Sequence, residues 1–218
     1  MGGHILRDAR PDGEGLVRLG FDAPVDGHVA PGQYVVAEID GLKAFFALAN
    51  DPGAPAELLV KAQGEAAARI AALAPGEALA LSEARGPGFG LPEDGSPRVV
   101  LAAGSGLSAA RPVVRAELAA GLPRPVDVVY GVFTPAHRSF VDDLEAWSAA
   151  GVRVHQVYDR APDGWSGPRG FVQHVARDLG LVRPDVTLVV CGFPQMVEEI
   201  RAMAAAAGLP ADRVRTNF

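Results

Sequence analysis

Leu101-Ala102-Ala103-Gly104-Ser105-Gly106-Leu107-Ser108-Ala109 decides how this chain is read, because an apolar strand runs into a Gly-x-Gly-x-x-Ala turn and the turn into a helix. Gly104 suits a backbone conformation closed to residues with a Cβ. Gly106 lets the main chain approach a pyrophosphate, and Ala109 lets the helix sit close to the strand. The first N–H groups of that helix have no partner within it and, with the helix dipole, attract an anion. A Gly-x-Gly pair alone also describes a tight strand-to-helix turn that binds nothing, so its surroundings must decide.

From residue 98 onward strands and helices alternate. The apolar runs predict strands at 98–102, 126–131, 152–157, 186–191 and 214–217, with helices at 109–120, 139–149, 171–179 and 194–207. Strands this apolar are buried on both faces, as in a parallel sheet covered by helices. Such sheets bind ligands at the carboxyl ends of their strands, where Gly104–Gly106, Tyr130-Gly131 and Cys191-Gly192 all fall. Before residue 86 the rhythm differs: short alternating strands are expected at 16–22, 33–39, 44–49, 57–62 and 78–83, with one helix at 65–73. That pattern suggests a small antiparallel barrel. The Gly- and Pro-rich stretch 86–97 reads as a linker, dividing the chain into a barrel at 1–96 and an α/β domain at 97–218.

A net charge of −6 over 218 residues offers no basic surface for nucleic acid or anionic lipid. The single Cys191 excludes an internal disulfide, a thiolate zinc site and a cysteine-held iron–sulfur cluster. No run approaches the roughly 20 apolar residues of a membrane span, so a cytoplasmic protein is expected. His4, His28 and His174 have no spacing that forms a metal site with one another or with Cys191. His137, Asp142 and Asp143 sit where a loop enters a helix, which suits acids capping a first turn. His155 lies within an apolar strand and reads as a satisfied core or sheet-face residue and not as a ligand.

Several motifs in order carry a resemblance: Pro31-Gly32-Gln33-Tyr34, Gly104-Ser105-Gly106-Leu107-Ser108, Val129-Tyr130-Gly131, Gly170-Phe171-Val172-Gln173 and Val190-Cys191-Gly192-Phe193-Pro194-Gln195-Met196. Over nearly its whole length the chain resembles the ferredoxin–NADP reductase family, and within it the small plastid-type members. The resemblance implies an FAD-binding barrel followed by a nicotinamide-nucleotide domain. It also implies hydride transfer from NADPH or NADH to FAD, and delivery of electrons to a separate acceptor protein.

Carried over residue by residue, the resemblance puts the coenzyme on Gly104, Ser105, Gly106 and Ser108 and on the strand end at Tyr130, with the nicotinamide beside Cys191 and Gly192. Arg160, Arg169 and Phe171 fall where family members hold a 2′-phosphate and stack on adenine, but Asp159 there better suits a ribose hydroxyl. On the flavin side the family's Arg-x-Tyr-Ser is replaced by Lys43-Ala44-Phe45-Phe46, which keeps a charge and a ring and loses both hydroxyls. The family's second phosphate motif, a Gly followed by Ser or Thr at a helix start, reads Gly64-Glu65-Ala66-Ala67 here, so the hydroxyl is missing and a carboxylate sits nearby. Phe218 matches an aromatic that can cover the flavin's other face. The losses at Phe46 and Ala66, with Glu65, leave open an alternative: a flavin-free nucleotide- or partner-binding protein on the same scaffold.

Overall fold

The computed structural model describes residues 2–217. Its first half is a six-stranded antiparallel sheet in the order β4-β3-β6-β1-β2-β5. The strands are β1 (Gly2–Pro11), β2 (Leu16–Phe21), β3 (Tyr34–Ile39), β4 (Leu42–Ala47), β5 (Glu57–Lys61) and β6 (Ala78–Leu81), with α1 (Glu65–Ala71) before β6. The edges meet just past β4, where Leu48 bridges Leu58 and the N–H of Ala49 donates to the carbonyl of Glu57 at 2.8 Å. This closes the sheet into a barrel around Leu19, Val35, Leu48, Leu58, Ile70 and Leu79. β1 has no counterpart in the pattern read from the sequence. A bulge between Leu6 and Asp8 breaks its alternation, and only His4 and Leu6 point inward.

The second half is a five-stranded parallel sheet in the order β11-β10-β7-β8-β9. It comprises β7 (Arg98–Ala103), β8 (Val126–Val132), β9 (Arg153–Tyr158), β10 (Thr187–Cys191) and β11 (Val214–Arg215). Helices α2 (Leu107–Ala119), α3 (Val141–Ala149), α4 (Val172–Asp178) and α5 (Pro194–Ala206) cover its faces. The two-layer plan expected from the sequence, barrel and then α/β sheet, is the one observed. The chain winds from β7 through β8 to β9 and then returns to the other flank of β7. The order therefore reverses between β7 and β10, whose ends lie in register at Ala102 and Cys191. Among the described residues, no helix is long and apolar enough to cross a membrane.

The halves are joined tightly. Leu16, Ala49, Leu59 and Phe89 pack into the same core as α2 and α3, and Phe89 buries in the stretch 86–97 that the sequence reads as a linker. Around Phe140, fully buried in a left-handed conformation at the start of α3, sits a set of charges from both halves. Arg111 of α2 binds Glu57 at 2.7 Å, the carbonyl of Ala49 at 2.8 Å and Asp143 at 2.8 Å. Arg18 of β2 pairs with Asp12 at 3.0 Å, and Asp12 accepts the N–H of Phe140 at 2.9 Å. Both guanidiniums lie over the Phe140 ring, at 4.9 and 4.7 Å from its centroid. Asp143, expected as a helix-capping acid, is part of this junction.

Candidate functional site

A cleft of about 1080 Å³ opens between the barrel and the carboxyl ends of the parallel strands. Volumes near this size suit organic cofactors and coenzymes. The barrel contributes an apolar wall of Ala44, Phe45, Phe46, Ala47, Leu59 and Ala67. Phe45 is 68% exposed and tilts against Tyr34, with ring centroids 6.1 Å apart. Such a ring gains little from the fold and is free to pack on a planar ligand.

The opposite wall is built at the switch point. Gly104, Ser105, Gly106 and Ser108 line it, as do Cys191 and Gly192 from β10. Gly104 has φ +53 with open space around it, so its backbone requires glycine and its surface is free. Gly106 differs: a Cβ there would stand 2.5 Å from the carbonyl oxygen of Cys191. That glycine is required by the packing of the α2 start on the β10 end before any ligand is considered. Ser108 ties the turn down by donating to the carbonyl of Ser105 at 2.8 Å. Burial pushes the Cys191 thiol far above its usual value, so it is a neutral, compact wall atom and no nucleophile.

Phe46 and Phe171 also line the cleft. Other residues read from the sequence do not. Tyr130 is buried, and its hydroxyl accepts the N–H of Ser139 at 3.1 Å, because its side chain points into the core shared with α3. Lys43 stands beside Phe45's face of β4 but pairs with Glu38 at 3.5 Å. Gly64 and Ala66 sit outside the wall, with Ala67 turned inward in their place. Glu65 is held by Arg69 at 2.7 Å on the exposed side of α1. Arg160 lies over the Phe133 ring at 4.4 Å, and Arg169 donates to the carbonyl of Trp165 at 3.0 Å. Phe218 lies outside the described residues. Its neighbour Asn217 lines the cleft and donates to the carbonyl of Gly32 at 3.1 Å, which carries the end of the chain onto the barrel.

Sequence reasoning missed Lys61 and Gln63 on the barrel side, and Phe193, Gln195 and Glu199 on α5 with its entry. Lys61 is the only lysine or arginine in the wall among the described residues. Its position closing β5, next to the helix-start glycine, was the available signal. Glu199 accepts from Gln173 Nε2 at 2.7 Å and from Gln195 Nε2 at 3.0 Å. These donors lower its pKa. The i,i+4 spacing of Gln195 and Glu199 on a helix opening at a strand end could have marked them.

Residues 100–202 match the family model described as the oxidoreductase NAD-binding domain. The chain is 29% identical to the fruit protein pKIWI502 of Actinidia deliciosa, over 85% of this chain and 65% of that protein. It is 31% identical to the ferredoxin–NAD(+) reductase component of an alkene monooxygenase system from Xanthobacter autotrophicus, over 91% of this chain and 64% of that one. It thus spans slightly less than two thirds of these curated relatives. Among solved structures, a ferredoxin NADP+ reductase from Neisseria gonorrhoeae, with bound FAD and NADP, superposes with a TM-score of 0.81. That match has 20% identity and covers 95% of this chain and 91% of that one. With the barrel, the parallel sheet and the glycine turn at its switch point, these matches give residues 100–202 as an oxidoreductase NAD-binding domain and the whole chain the two-domain fold of ferredoxin reductases, in support of a ferredoxin–NADP reductase-like family.

Proposed function

We propose that the protein is a flavin-dependent NAD(P)H oxidoreductase, with residues 1–96 as the flavin half and 97–218 as the nicotinamide-nucleotide half. The observation that carries this reading is the cleft itself, in which an exposed aromatic on an apolar barrel wall faces a glycine turn at a sheet's switch point. The wall fits FAD: Phe45 offers a face for a planar ring, and the approach to Gly64 is open. Glu65, the charge most hostile to a phosphate there, is paired with Arg69, which also binds Asp40. The chemistry that bound FAD supplies is acceptance of a hydride from the nicotinamide and release of electrons to a separate acceptor.

The chain's own residues then do the aligning. Backbone N–H groups of the turn at Gly104–Gly106 and of the α2 start hold the pyrophosphate. Cys191 and Gly192 set the depth at which a nicotinamide can lie, and the wall there has no room for a side chain, since a Cβ on Gly192 would stand 2.6 Å from the Met196 sulfur. Ala44, Ala47 and Leu59 keep water from the space between the two rings, where hydride transfer needs close contact. Hydride transfer needs no general acid or base, consistent with a neutral Cys191. The acceptor is a separate protein, and a cytoplasmic setting goes with a supply of reduced coenzyme.

The test is to add FAD to the purified chain, record flavin absorption after removing free FAD, and follow NADH and NADPH oxidation with a dye acceptor. Yellow protein with activity is expected. Folded, colourless protein that oxidises neither coenzyme would favour the flavin-free scaffold.

A further inference from the structure

We infer that Arg111 is a positioning residue for hydride transfer, its one guanidinium fixing the distance between the barrel wall and the glycine turn. The inference rests on the reading above, in which a flavin lies on the barrel side and the nicotinamide reaches it from the turn. Arg111 lies on α2 five residues after Gly106, about 7.5 Å along the helix axis from the turn. Its Nη1 donates to the Glu57 carboxylate at 2.7 Å and to the carbonyl of Ala49 at 2.8 Å, and its Nε donates to Asp143 at 2.8 Å. Both barrel partners lead straight to the cleft. Ala49 stands two residues past Ala47 and Glu57 two residues before Leu59, and Ala47 and Leu59 are cleft wall. Along β5, Leu58 and Val60 face the barrel core, while alternation puts Glu57, Leu59 and Lys61 on the other face. Arg111 therefore grips the face of β5 that lines the cleft, at the seam where the Ala49 N–H closes the barrel on the carbonyl of Glu57.

Burial makes this grip stiff. Arg111 is buried, with its guanidinium over the Phe140 ring, and charge-assisted bonds to a planar fork hold direction as well as distance. Arg115, one helical turn further along α2, provides the contrast. It pairs at 3.0 Å with Asp51 of the same barrel segment, but the two side chains are 38% and 39% exposed, and water and salt weaken such a pair. The two arginines share a helix and a partner segment and differ in burial. Hydride transfer is sensitive to small displacements, since a misplacement of about 1 Å can cost about 100-fold in rate. A seam that relaxes against α2 shifts one ring relative to the other without touching the contacts that hold either ligand in its own half. Alignment is then lost while affinity is kept.

The experiment uses the full chain loaded with FAD. Stopped-flow absorbance gives the rate of flavin reduction by NADH and by NADPH, fluorescence titration gives the affinity for FAD, and calorimetry gives the affinity for ADP-ribose, each taken below the variant's thermal transition. Arg111→Met is expected to slow flavin reduction about 30-fold, and Arg111→Lys, which keeps the charge without the planar fork, about tenfold. Both affinities should stay within about threefold of wild type. Arg115→Met should stay within about twofold of wild type in every reading. If Arg111→Met does not fold, Arg111→Lys decides. A wild-type reduction rate in a folded Arg111 variant overturns the inference and leaves the flavin reading standing. Slowing that tracks a matching loss of affinity, or equal slowing in Arg115→Met, also overturns it. A wild-type chain whose flavin neither coenzyme reduces brings down the flavin reading, and the inference falls with it.

Discussion

The two walls of the cleft are made by opposite means. On the α/β side the wall is main chain at strand ends, and its glycines answer to the protein's own packing: Gly106 against Cys191, Gly131 against Val172 and Gly192 against Met196. On the barrel side the wall is side chains, and Phe45 contributes little to the fold while standing open to a ligand. One wall is therefore intolerant of substitution whether or not anything binds, and the other tolerates change until a ligand is asked for. Damage to stability and damage to binding should separate along this line.

The strongest challenge to that division is aimed at the junction holding the walls at a fixed distance. Arg111→Met leaves Glu57 and Asp143 facing each other in a half-dry pocket without their shared guanidinium. Removing one partner of a buried ionic set typically costs 3–5 kcal/mol, and Arg18 remains near both carboxylates, so a loss of about 3 kcal/mol is expected. Urea unfolding measures it as a lower midpoint at unchanged slope. A loss below about 1 kcal/mol would mean that apolar packing alone joins the halves.

Next in size is Gly106→Ala. Its backbone is not strained, yet the new methyl must displace the Cys191 carbonyl, and overpacking of this kind costs about 2 kcal/mol. Gly104→Ala reverses the terms: the space is open but φ is +53, so the cost is about 1 kcal/mol of backbone strain. The two variants, compared by thermal unfolding and by ADP-ribose binding, sharpen the contrast within a single turn. Gly106→Ala should lose stability first, and a Gly106 variant as stable as wild type would show that α2 and β10 can part freely.

Legibility in the sequence follows the same division. The Gly104–Gly106 turn, the apolar strands of the parallel sheet and the Gly-terminated helices are local patterns, and their periodicity and turn chemistry place them within a few residues of where they fold. β1 escaped because a bulge and only two inward side chains erase its alternation. The barrel wall escaped in part because Phe45, Leu59, Lys61 and Ala67 come from three elements, and nothing local in any of them says which face meets the cleft. Tyr130 was misplaced for a related reason. It sits on a strand that ends at the site, but alternation turns it into the core, toward Ser139. The junction of Asp12, Arg18, Glu57, Arg111 and Asp143 joins residues far apart in the chain, and only tertiary structure brings such charges together.

A third prediction concerns the foot of the parallel sheet, opposite the cleft. Asp127, buried near the start of β8, receives two bonds from Arg153 at 2.8 and 2.5 Å and one contact from His155 at 3.1 Å. Burial alone would raise this carboxyl, but the bonds from His155 and Arg153 outweigh it and hold the pKa at about 2. A carboxyl whose pKa falls on folding contributes stability above its unfolded value of 3.8, and that stability is lost as pH drops through the folded value. With Arg153 half exposed, the contribution is about 1–2 kcal/mol. Unfolding curves of wild type and Asp127→Asn should therefore differ above pH 5 and converge toward pH 2. Parallel curves throughout would remove Asp127 from the acid sensitivity.

The smallest effect on the fold should accompany a clear effect on the ligand. Phe45→Ala removes an exposed ring whose main protein neighbour is Tyr34, so stability should change by no more than about 0.5 kcal/mol. Ring-on-ring packing contributes about 0.5–1.5 kcal/mol, so FAD should bind about three- to tenfold more weakly, measured by fluorescence titration of the apoprotein. Phe45→Tyr keeps the face and should retain the affinity. If Phe45→Ala instead unfolds the barrel and leaves FAD affinity intact, the ring is a structural part of the wall, and the contrast between a wall built for the fold and one left free for a ligand collapses.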